Sequence, residues 1–143
     1  MNLCPCQSGK DYDACCGAII GGTQTAPTAE ALMRSRYSAF VKGAVDYLKD
    51  SLHPDHRTDF DPMATKDLAD NSTWLGLRII NTSGGGKDDQ EGTVEFIATF
   101  RMKGTTFEHH ELAQFNRQDG IWYYTDGELI LPNAPQQEGT PPG

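Results

Sequence analysis

Cysteine is missing from this 143-residue chain after residue 16, and basic residues are fewer than acidic ones. The chain has 12 Lys and Arg against 20 Asp and Glu, so its formal net charge at pH 7 is -8. A net acidic chain is poorly suited to nonspecific binding of a nucleic-acid phosphate backbone. The composition therefore predicts that nucleic acid is not a partner of this protein.

Targeting segments and familiar catalytic motifs are missing as well. The first residues lack the basic start and apolar stretch of a secretory signal peptide, and no apolar run is long enough to span a bilayer. The motifs G-x-S-x-G and H-E-x-x-H and the dinucleotide-binding glycine fingerprint are absent. We therefore expect a cytoplasmic protein without membrane contact, built as one main domain with a small appendage.

The four cysteines that are present lie together near the N-terminus, at Cys4, Cys6, Cys15 and Cys16. Their spacing is C-x-C-x8-C-C, with a glycine between the two pairs. Four thiolates in a short loop suit a structural Zn²⁺ ion, which binds four soft ligands in a tetrahedron. Because so short a segment cannot bury a core of its own, metal binding would supply its folding free energy. The pattern predicts one structural zinc ion held by all four cysteines.

Other interpretations of the cysteines remain open. Two disulfides suit small secreted scaffolds, but these cysteines crowd one end of the chain, and a bond between adjacent Cys15 and Cys16 would be strained. A C-x-x-C redox pair is absent, although thiols that release a metal on oxidation would make a redox sensor. Another metal, such as iron, could use the same ligands.

A resemblance to a known family extends beyond the cysteines. Residues 4–16 resemble the SEC-C motif, which is named for the C-terminus of the SecA translocation motor, although Gln7 stands where glycine is usual. Further similarity to the bacterial YchJ-type family lies in the stretch L-M-R-S-R-Y-S-A-F at residues 32–40, in His53-Pro54, Trp74, His110-Glu111 and Trp122-Tyr123. The resemblance covers residues 1–128 and implies a zinc knuckle followed by an NTF2-like domain.

Helical periodicity precedes strand patterns along the chain. Apolar residues recur at helical spacing from Ala29, Thr28 is placed to cap this helix, and Gly43 is expected to end it near Lys42. The other predicted elements are helices 44–52 and 65–70, the latter capped by Thr65, and strands 74–81, 93–102, 106–115 and 121–125. This order predicts an α+β fold. The resemblance implies an NTF2-like cone, in which N-terminal helices pack on a curved antiparallel sheet.

The predicted domain boundaries follow the changes in composition. Residues 1–22 form the knuckle, the Gly- and Pro-containing residues 23–27 form a linker, and residues 28–130 form the NTF2-like domain. Residues 131–143 hold Pro, Gly and Gln without an apolar pattern, so they are predicted to be disordered.

A candidate pocket follows from side-chain alternation in the third predicted strand. Glu111 lies on the same side as Phe107 and Phe115, which indicates that it faces the core within the concave side of the sheet. Arg36 lies beside the apolar stripe of the first long helix, so we hypothesise a direct contact between Arg36 and Glu111. The predicted pocket residues are Arg36, Tyr37, Trp74 and Glu111. The charged pair either fixes packing or binds a ligand, and both interpretations remain open.

Two function classes are compatible with these features. The SEC-C relatives at the end of SecA contact a secretion chaperone and the translation machinery, so the resemblance implies a protein-contact (adaptor) role linked to secretion or translation. Lys10, Asp11 and Tyr12, between the ligand pairs, would then reach an unidentified protein partner. The alternative is a small-molecule binder or enzyme that uses the pocket around Arg36 and Glu111. NTF2-like domains also often dimerise through their sheets, so the resemblance allows a homodimer.

Overall fold

Helices occupy the N-terminal half of the chain and strands the C-terminal half. The structure, a computed structural model, describes residues 3–131. The tail predicted to be disordered, residues 131–143, lies outside the described residues except for Leu131. The elements are α1 (Cys16–Ile20), α2 (Ala29–Lys42), α3 (Val45–Asp50), α4 (Pro62–Asn71), β1 (Thr73–Gly84), β2 (Glu91–Met102), β3 (Thr105–Gln118) and β4 (Ile121–Leu129). Short 3-10 turns, Tyr12–Ala14 and Pro54–His56, precede α1 and α4. This order confirms the predicted α+β class.

The long helix α2 begins and ends where the sequence predicts. The Thr28 hydroxyl accepts a hydrogen bond from the Ala31 amide at 3.1 Å, which satisfies one of the free N–H groups of the first turn. Gly43 ends the helix with a φ of 71°, a left-handed conformation that glycine adopts without a Cβ penalty. Single residues beside the helix therefore encode both of its ends.

Helix α4 corrects the prediction that Thr65 is a cap. The helix begins at Pro62, and the carboxylate of Asp61 accepts a hydrogen bond from the Ala64 amide at 3.0 Å. The Thr65 hydroxyl instead donates to the Asp61 carbonyl at 2.8 Å, inside the helix. Helix α3 is shorter than predicted, since it ends at Asp50. No helix within residues 3–131 has the length and apolarity that crossing a membrane requires.

The four strands form one antiparallel sheet in the order β1-β2-β3-β4. Lys103-Gly104 and Asp119-Gly120 have the positive φ angles that two-residue hairpin turns require. Strands β1 and β4 extend past their predicted ends, to Gly84 and Leu129, because ladder pairing continues through polar residues. Register shifts in β1 and between β3 and β4 bend the strands. The result is a curved sheet packed on α2, as the resemblance to NTF2-like domains implied.

One hydrophobic core connects α2, the inner face of the sheet and the cysteine segment. Leu32 of α2, Val94 of β2 and Cys6 of the knuckle are all buried in this core. The structure describes residues 3–22 of the knuckle. Ala26, in the segment predicted as a linker, is buried in the same core. The knuckle and the cone are therefore packed against each other through shared apolar contacts.

Candidate functional site

The four cysteines form one compact cluster. Their sulfur atoms all lie within 4.8 Å of one another, with Cys6 and Cys15 at 3.7 Å and Cys15 and Cys16 at 4.0 Å. Thiolates bound at about 2.3 Å to one tetrahedral ion would stand about 3.8 Å apart. All four cysteines are free of disulfide bonds. The sulfur positions therefore fit a single four-coordinate metal ion, which this cluster could hold.

The backbone of the knuckle brings the two cysteine pairs together. The Cys4 amide donates to the Lys10 carbonyl at 2.8 Å, and Leu3 forms a bridge with Asp11, so the loop folds back on itself. Gln7, inside this loop, has a φ of 67°. The left-handed conformation costs a residue with a side chain about 1 kcal/mol. This cost is a physical reason for the glycine that SEC-C motifs usually have at this position.

Polar contacts of three side chains, Gln7, Arg34 and Ser38, join the knuckle to the cone. The Arg34 guanidinium of α2 donates to the Cys6 carbonyl at 2.6 Å. The hydroxyl of Ser38, one helical turn later, lies 3.5 Å from a sulfur atom of the cluster. The side-chain oxygen of Gln7 accepts a hydrogen bond from the Leu77 amide of β1 at 2.9 Å. We call Gln7, Arg34 and Ser38 the clasp residues.

Three of the four thiols are buried, whereas Cys15 is only half-buried. The Ser8 hydroxyl lies 3.2 Å from the Cys15 sulfur. Hydrogen bonding with Cys16 lowers the pKa of the Cys6 thiol to about 4, and the same interaction raises the pKa of Cys16 far above its usual value. One thiolate is thus stabilised within the cluster, and a bound cation would displace the protons of the other thiols.

A cavity of about 280 Å³ lies between α2 and the inner face of the sheet. Its walls are mostly apolar, and Trp74 of β1 joins two aromatic neighbours there, with ring centroids 5.3 Å from Phe40 and 5.1 Å from Phe100. The residues predicted for the pocket, Arg36, Tyr37, Trp74 and Glu111, all line this cavity. The fold therefore brings together side chains that are far apart in the sequence.

A continuous polar chain forms one part of the cavity wall. The Arg36 guanidinium stacks 4.6 Å from the ring centroid of Tyr124, whose hydroxyl donates to Glu111 at 2.6 Å. The ring nitrogen Nε2 of His109 lies 2.6 Å from the other carboxylate oxygen of Glu111. The hypothesised contact between Arg36 and Glu111 is bridged by Tyr124, and Nη1 of Arg36 donates to the Leu48 carbonyl at 2.9 Å.

Two members of the polar chain, Tyr124 and Arg36, have shifted pKa values. Burial and the neighbouring Glu111 raise the pKa of Tyr124 well above its usual value, so the phenol keeps its proton and donates it. Burial lowers the pKa of Arg36, an effect that Tyr124, Tyr47 and Glu111 oppose. Within residues 3–131, the hydrogen bonds of this guanidinium come from Nη1 alone. Its Nε and Nη2 groups make no hydrogen bond within these residues, and Arg36 lines the cavity.

The pocket predicted from the sequence did not include two members of the polar chain, His109 and Tyr124. His109 stands two residues before Glu111 on β3, so strand alternation already placed both on one face. Tyr124 could not be found in this way, because its approach to Glu111 depends on the pairing of β4 with β3, where it lies opposite Phe115. The register of β4 against β3 is therefore the information that the sequence analysis lacked for placing Tyr124 in the pocket.

The three predicted partner-contact residues differ in exposure. Lys10 is exposed, whereas Asp11 and Tyr12 are half-buried. The Lys42 ammonium of α2 lies 4.6 Å from the ring centroid of Tyr12, so this tyrosine packs toward the cone. The structure thus leaves Lys10 as the member of this set that is most accessible to another protein.

The fold and the cluster define a class: an NTF2-like cone whose N-terminal segment carries a four-cysteine motif. The family model described as "YchJ, middle NTF2-like domain" matches residues 28–127, and the SEC-C motif matches residues 2–18. The chain belongs to the YchJ family, as the sequence resemblance predicted.

Relatives support this assignment over most of the chain. A UPF0225 protein of Geobacter sulfurreducens is 50% identical over 92% of this chain and 81% of its own length. A UPF0225 protein of Streptomyces coelicolor is 46% identical over 89% of this chain and 95% of its own length. A SEC-C motif containing protein from Rhodopseudomonas palustris, solved in solution, has a TM-score of 0.82 at 42% identity and covers 92% of this chain and 100% of its own.

Proposed function

We propose that this protein is a zinc-stabilised small-molecule-binding protein. One Zn²⁺ ion occupies the cysteine cluster, and the cavity of the cone binds a small molecule with an apolar ring system and one neutral polar group. The observation that carries the proposal is the cavity of about 280 Å³, with aromatic walls and the chain from Arg36 to His109. Pockets of this composition bind ligands through apolar contact and use a few polar groups for orientation.

The choice of zinc rests on the ligand set. Four cysteine sulfurs at tetrahedral spacing leave no open coordination position, which is typical of structural zinc sites and not of catalytic ones. Burial of Cys4, Cys6 and Cys16 in the core further supports a structural role. Elemental analysis of the protein purified without added metal checks this choice, and we expect one zinc per chain. One iron per chain, or none of either metal, would contradict it.

The polar group of the ligand is expected to be neutral. The Arg36 guanidinium and the Glu111 carboxylate both contribute to the polar chain, so a ligand carboxylate near the cation would also meet an anion. A carbonyl oxygen can accept from the free Arg36 donors without this repulsion. Trp74, Phe40 and Phe100 suit the flat apolar body of a one- or two-ring compound.

The two tryptophans give a direct test, because Trp74 lines the cavity and Trp122 is buried outside its lining. We would titrate zinc-loaded protein with 1-indanone, and with indane as the matched compound without a carbonyl, and record the two indole N–H signals by NMR. We expect the Trp74 signal to shift, the Trp122 signal to stay, and 1-indanone to bind about fivefold more tightly than indane. Equal shifts of both signals, or no binding, would contradict the proposal.

A filling substitution provides the control. Ala98 is buried on β2 and lines the cavity. The larger side chain of Ala98→Leu should therefore fill part of the cavity and abolish 1-indanone binding. Ala64→Leu makes the same chemical change on the exposed surface of α4 and should leave binding unchanged. An unshifted Trp122 indole signal shows that each variant keeps its core.

The adaptor role inferred from the SEC-C resemblance stays a prediction, as does the homodimer. Lys10 is the exposed member of its predicted contact set. Quantitative co-purification from bacterial cytosol, with the protein compared to Lys10→Glu, tests the role without disturbing the cysteines. A partner that is lost with Lys10→Glu would support an adaptor, and an unchanged set of partners would argue against contact through this residue.

A further inference from the structure

Helix α2 carries two stripes of side chains on different faces. Arg34, Ser38 and Lys42 recur every fourth residue and contact, respectively, the carbonyl of Cys6, a sulfur of the cluster and the ring of Tyr12. The other stripe lines the cavity and consists of Met33, Arg36, Tyr37 and Phe40. At about 100° per residue, the centres of the two stripes lie about 150° apart around the helix. The knuckle and the cavity therefore share one helix as a common wall.

Strand β1 makes a second connection between the same two sites. Gln7, one residue after Cys6, accepts a hydrogen bond from the Leu77 amide at 2.9 Å. Its side chain lies so close to Gly76 that an added Cβ there would meet the Gln7 oxygen at 3.1 Å. A register shift lies between Trp74 and Gly76, so this part of β1 departs from regular pairing just after the tryptophan of the cavity. The knuckle thus supports the irregular part of β1.

We propose that occupancy of the cysteine cluster by metal controls ligand binding in the cavity, and that Gln7, Arg34 and Ser38 transmit this control as positioning residues. The inference rests on the proposed function, because it concerns the regulation of the same cavity. It goes beyond that function by coupling two sites that share no ligand-contacting residue.

The physical basis is preorganisation of two cavity walls. A bound ion fixes the positions of Cys4 and Cys6, and thereby the hydrogen-bond partners of Arg34 and Ser38 on α2. Gln7 presents its side chain to β1 from a left-handed backbone conformation, and an ion bound to the neighbouring Cys6 would hold it there. Without the ion the knuckle loop relaxes, and the two cavity walls, α2 and β1, gain conformational freedom. Ordering these walls then makes the net free energy of ligand binding less favourable. Coupling of this kind is reciprocal, so cavity occupancy raises metal affinity by the same factor.

The first experiment compares metal-loaded and metal-free full-length protein in the 1-indanone titration. We expect metal removal to weaken 1-indanone binding at least about fivefold, with the Trp122 signal and the far-ultraviolet circular dichroism retained. A competition assay with a chromophoric zinc chelator should give an equal increase in zinc affinity when 1-indanone is saturating. Equal 1-indanone affinity in the folded metal-free and metal-loaded proteins would overturn the proposal.

A second experiment keeps the metal in place, and so decides the question even if the metal-free chain unfolds. The variant Gln7→Gly/Ser38→Ala leaves all four cysteines unchanged and removes two of the three clasp contacts. We expect one zinc per chain, weaker 1-indanone binding and a moved Trp74 indole signal. Lys10→Ala, an exposed change in the same knuckle, should alter none of these. Binding unchanged in the double variant would overturn the role of the clasp residues.

Failure of the proposed function gives a different result from failure of the coupling. If metal-loaded protein does not bind 1-indanone, the ligand proposal fails, while movement of the Trp74 indole signal on zinc addition still tests the coupling. A Trp74 signal that is indifferent to zinc in folded protein would overturn the coupling by itself.

Discussion

The knuckle and the cavity are built in opposite ways. All four sulfur ligands come from residues 4–16, and turns and a short helix within that segment bring them together. The polar chain of the cavity comes from Arg36 of α2, Glu111 and His109 of β3 and Tyr124 of β4. One site is local in the sequence, and the other exists only after helix and sheet have packed together.

This difference should appear in how each site responds to substitution. A four-ligand metal site loses its ion when one ligand is removed, because zinc requires a complete tetrahedral set. A cavity loses one contact at a time, and each contact contributes on the order of 1 kcal/mol. Three pairs of variants test this difference between the two sites.

The largest effect is expected for Cys6→Ser. Its sulfur is fully buried, so the substitution should abolish stoichiometric metal binding. It should also lower the free energy of unfolding by about 4 kcal/mol where free zinc exceeds its Kd about a thousandfold. Elemental analysis and urea denaturation measure the two losses. Lys10→Ala in the same loop should change neither, and metal retained by Cys6→Ser would show that the cluster is not one four-ligand site.

An intermediate effect is expected for Tyr124→Phe. The substitution removes the hydroxyl that donates to Glu111 at 2.6 Å and leaves a half-buried carboxylate short of one donor. Hydrogen bonds to charged groups contribute more than neutral ones, so we expect a loss of about 2 kcal/mol. Tyr47→Phe removes a neutral bond of the same length, to Ser35, and should cost about 1 kcal/mol. Equal costs in urea denaturation would contradict a charge-assisted bond in the cavity.

The smallest effects are expected at Gln7, where strain and bonding oppose each other. Gln7→Ala keeps the left-handed backbone at a φ of 67° and loses the bond to Leu77, so it should destabilise by about 1 kcal/mol. Gln7→Gly loses the same bond and relieves about 1 kcal/mol of backbone strain, so its stability should stay near that of the original protein. The difference between the two variants measures the strain, and a value of zero would contradict the left-handed assignment.

The sequence predicted the features that depend on neighbouring residues. Thr28 and Gly43 bound α2 as expected, because capping and left-handed glycine are local effects. The predicted cap of α4 was wrong because the helix begins one turn before Thr65, at Pro62, where the Asp61 carboxylate accepts from the free Ala64 amide. Strand ends were underestimated because cross-strand hydrogen bonds, which a single strand does not reveal, continue into polar residues.

For the cavity, the sequence predicted a set of lining residues but not how they connect. Alternation on β3 placed Glu111 on the inner face, and helical periodicity placed Arg36 near it. The insertion of Tyr124 between them depends on the register of β4 against β3, where a shift occurs between Gln114 and Phe115. Register is set by turn geometry and packing along the whole hairpin, so the polar chain could not be derived strand by strand.

The positions of the four cysteines, the ends of α2 and the α+β order of elements follow from the sequence, because each depends on interactions across a few residues. Three features required the folded structure: the knuckle shares the core of the cone, Tyr124 joins Arg36 to Glu111, and α2 separates the cluster from the cavity. These features arise from contacts between segments that are many residues apart in the sequence. Such contacts stabilise the protein only after the sheet has packed on the helix.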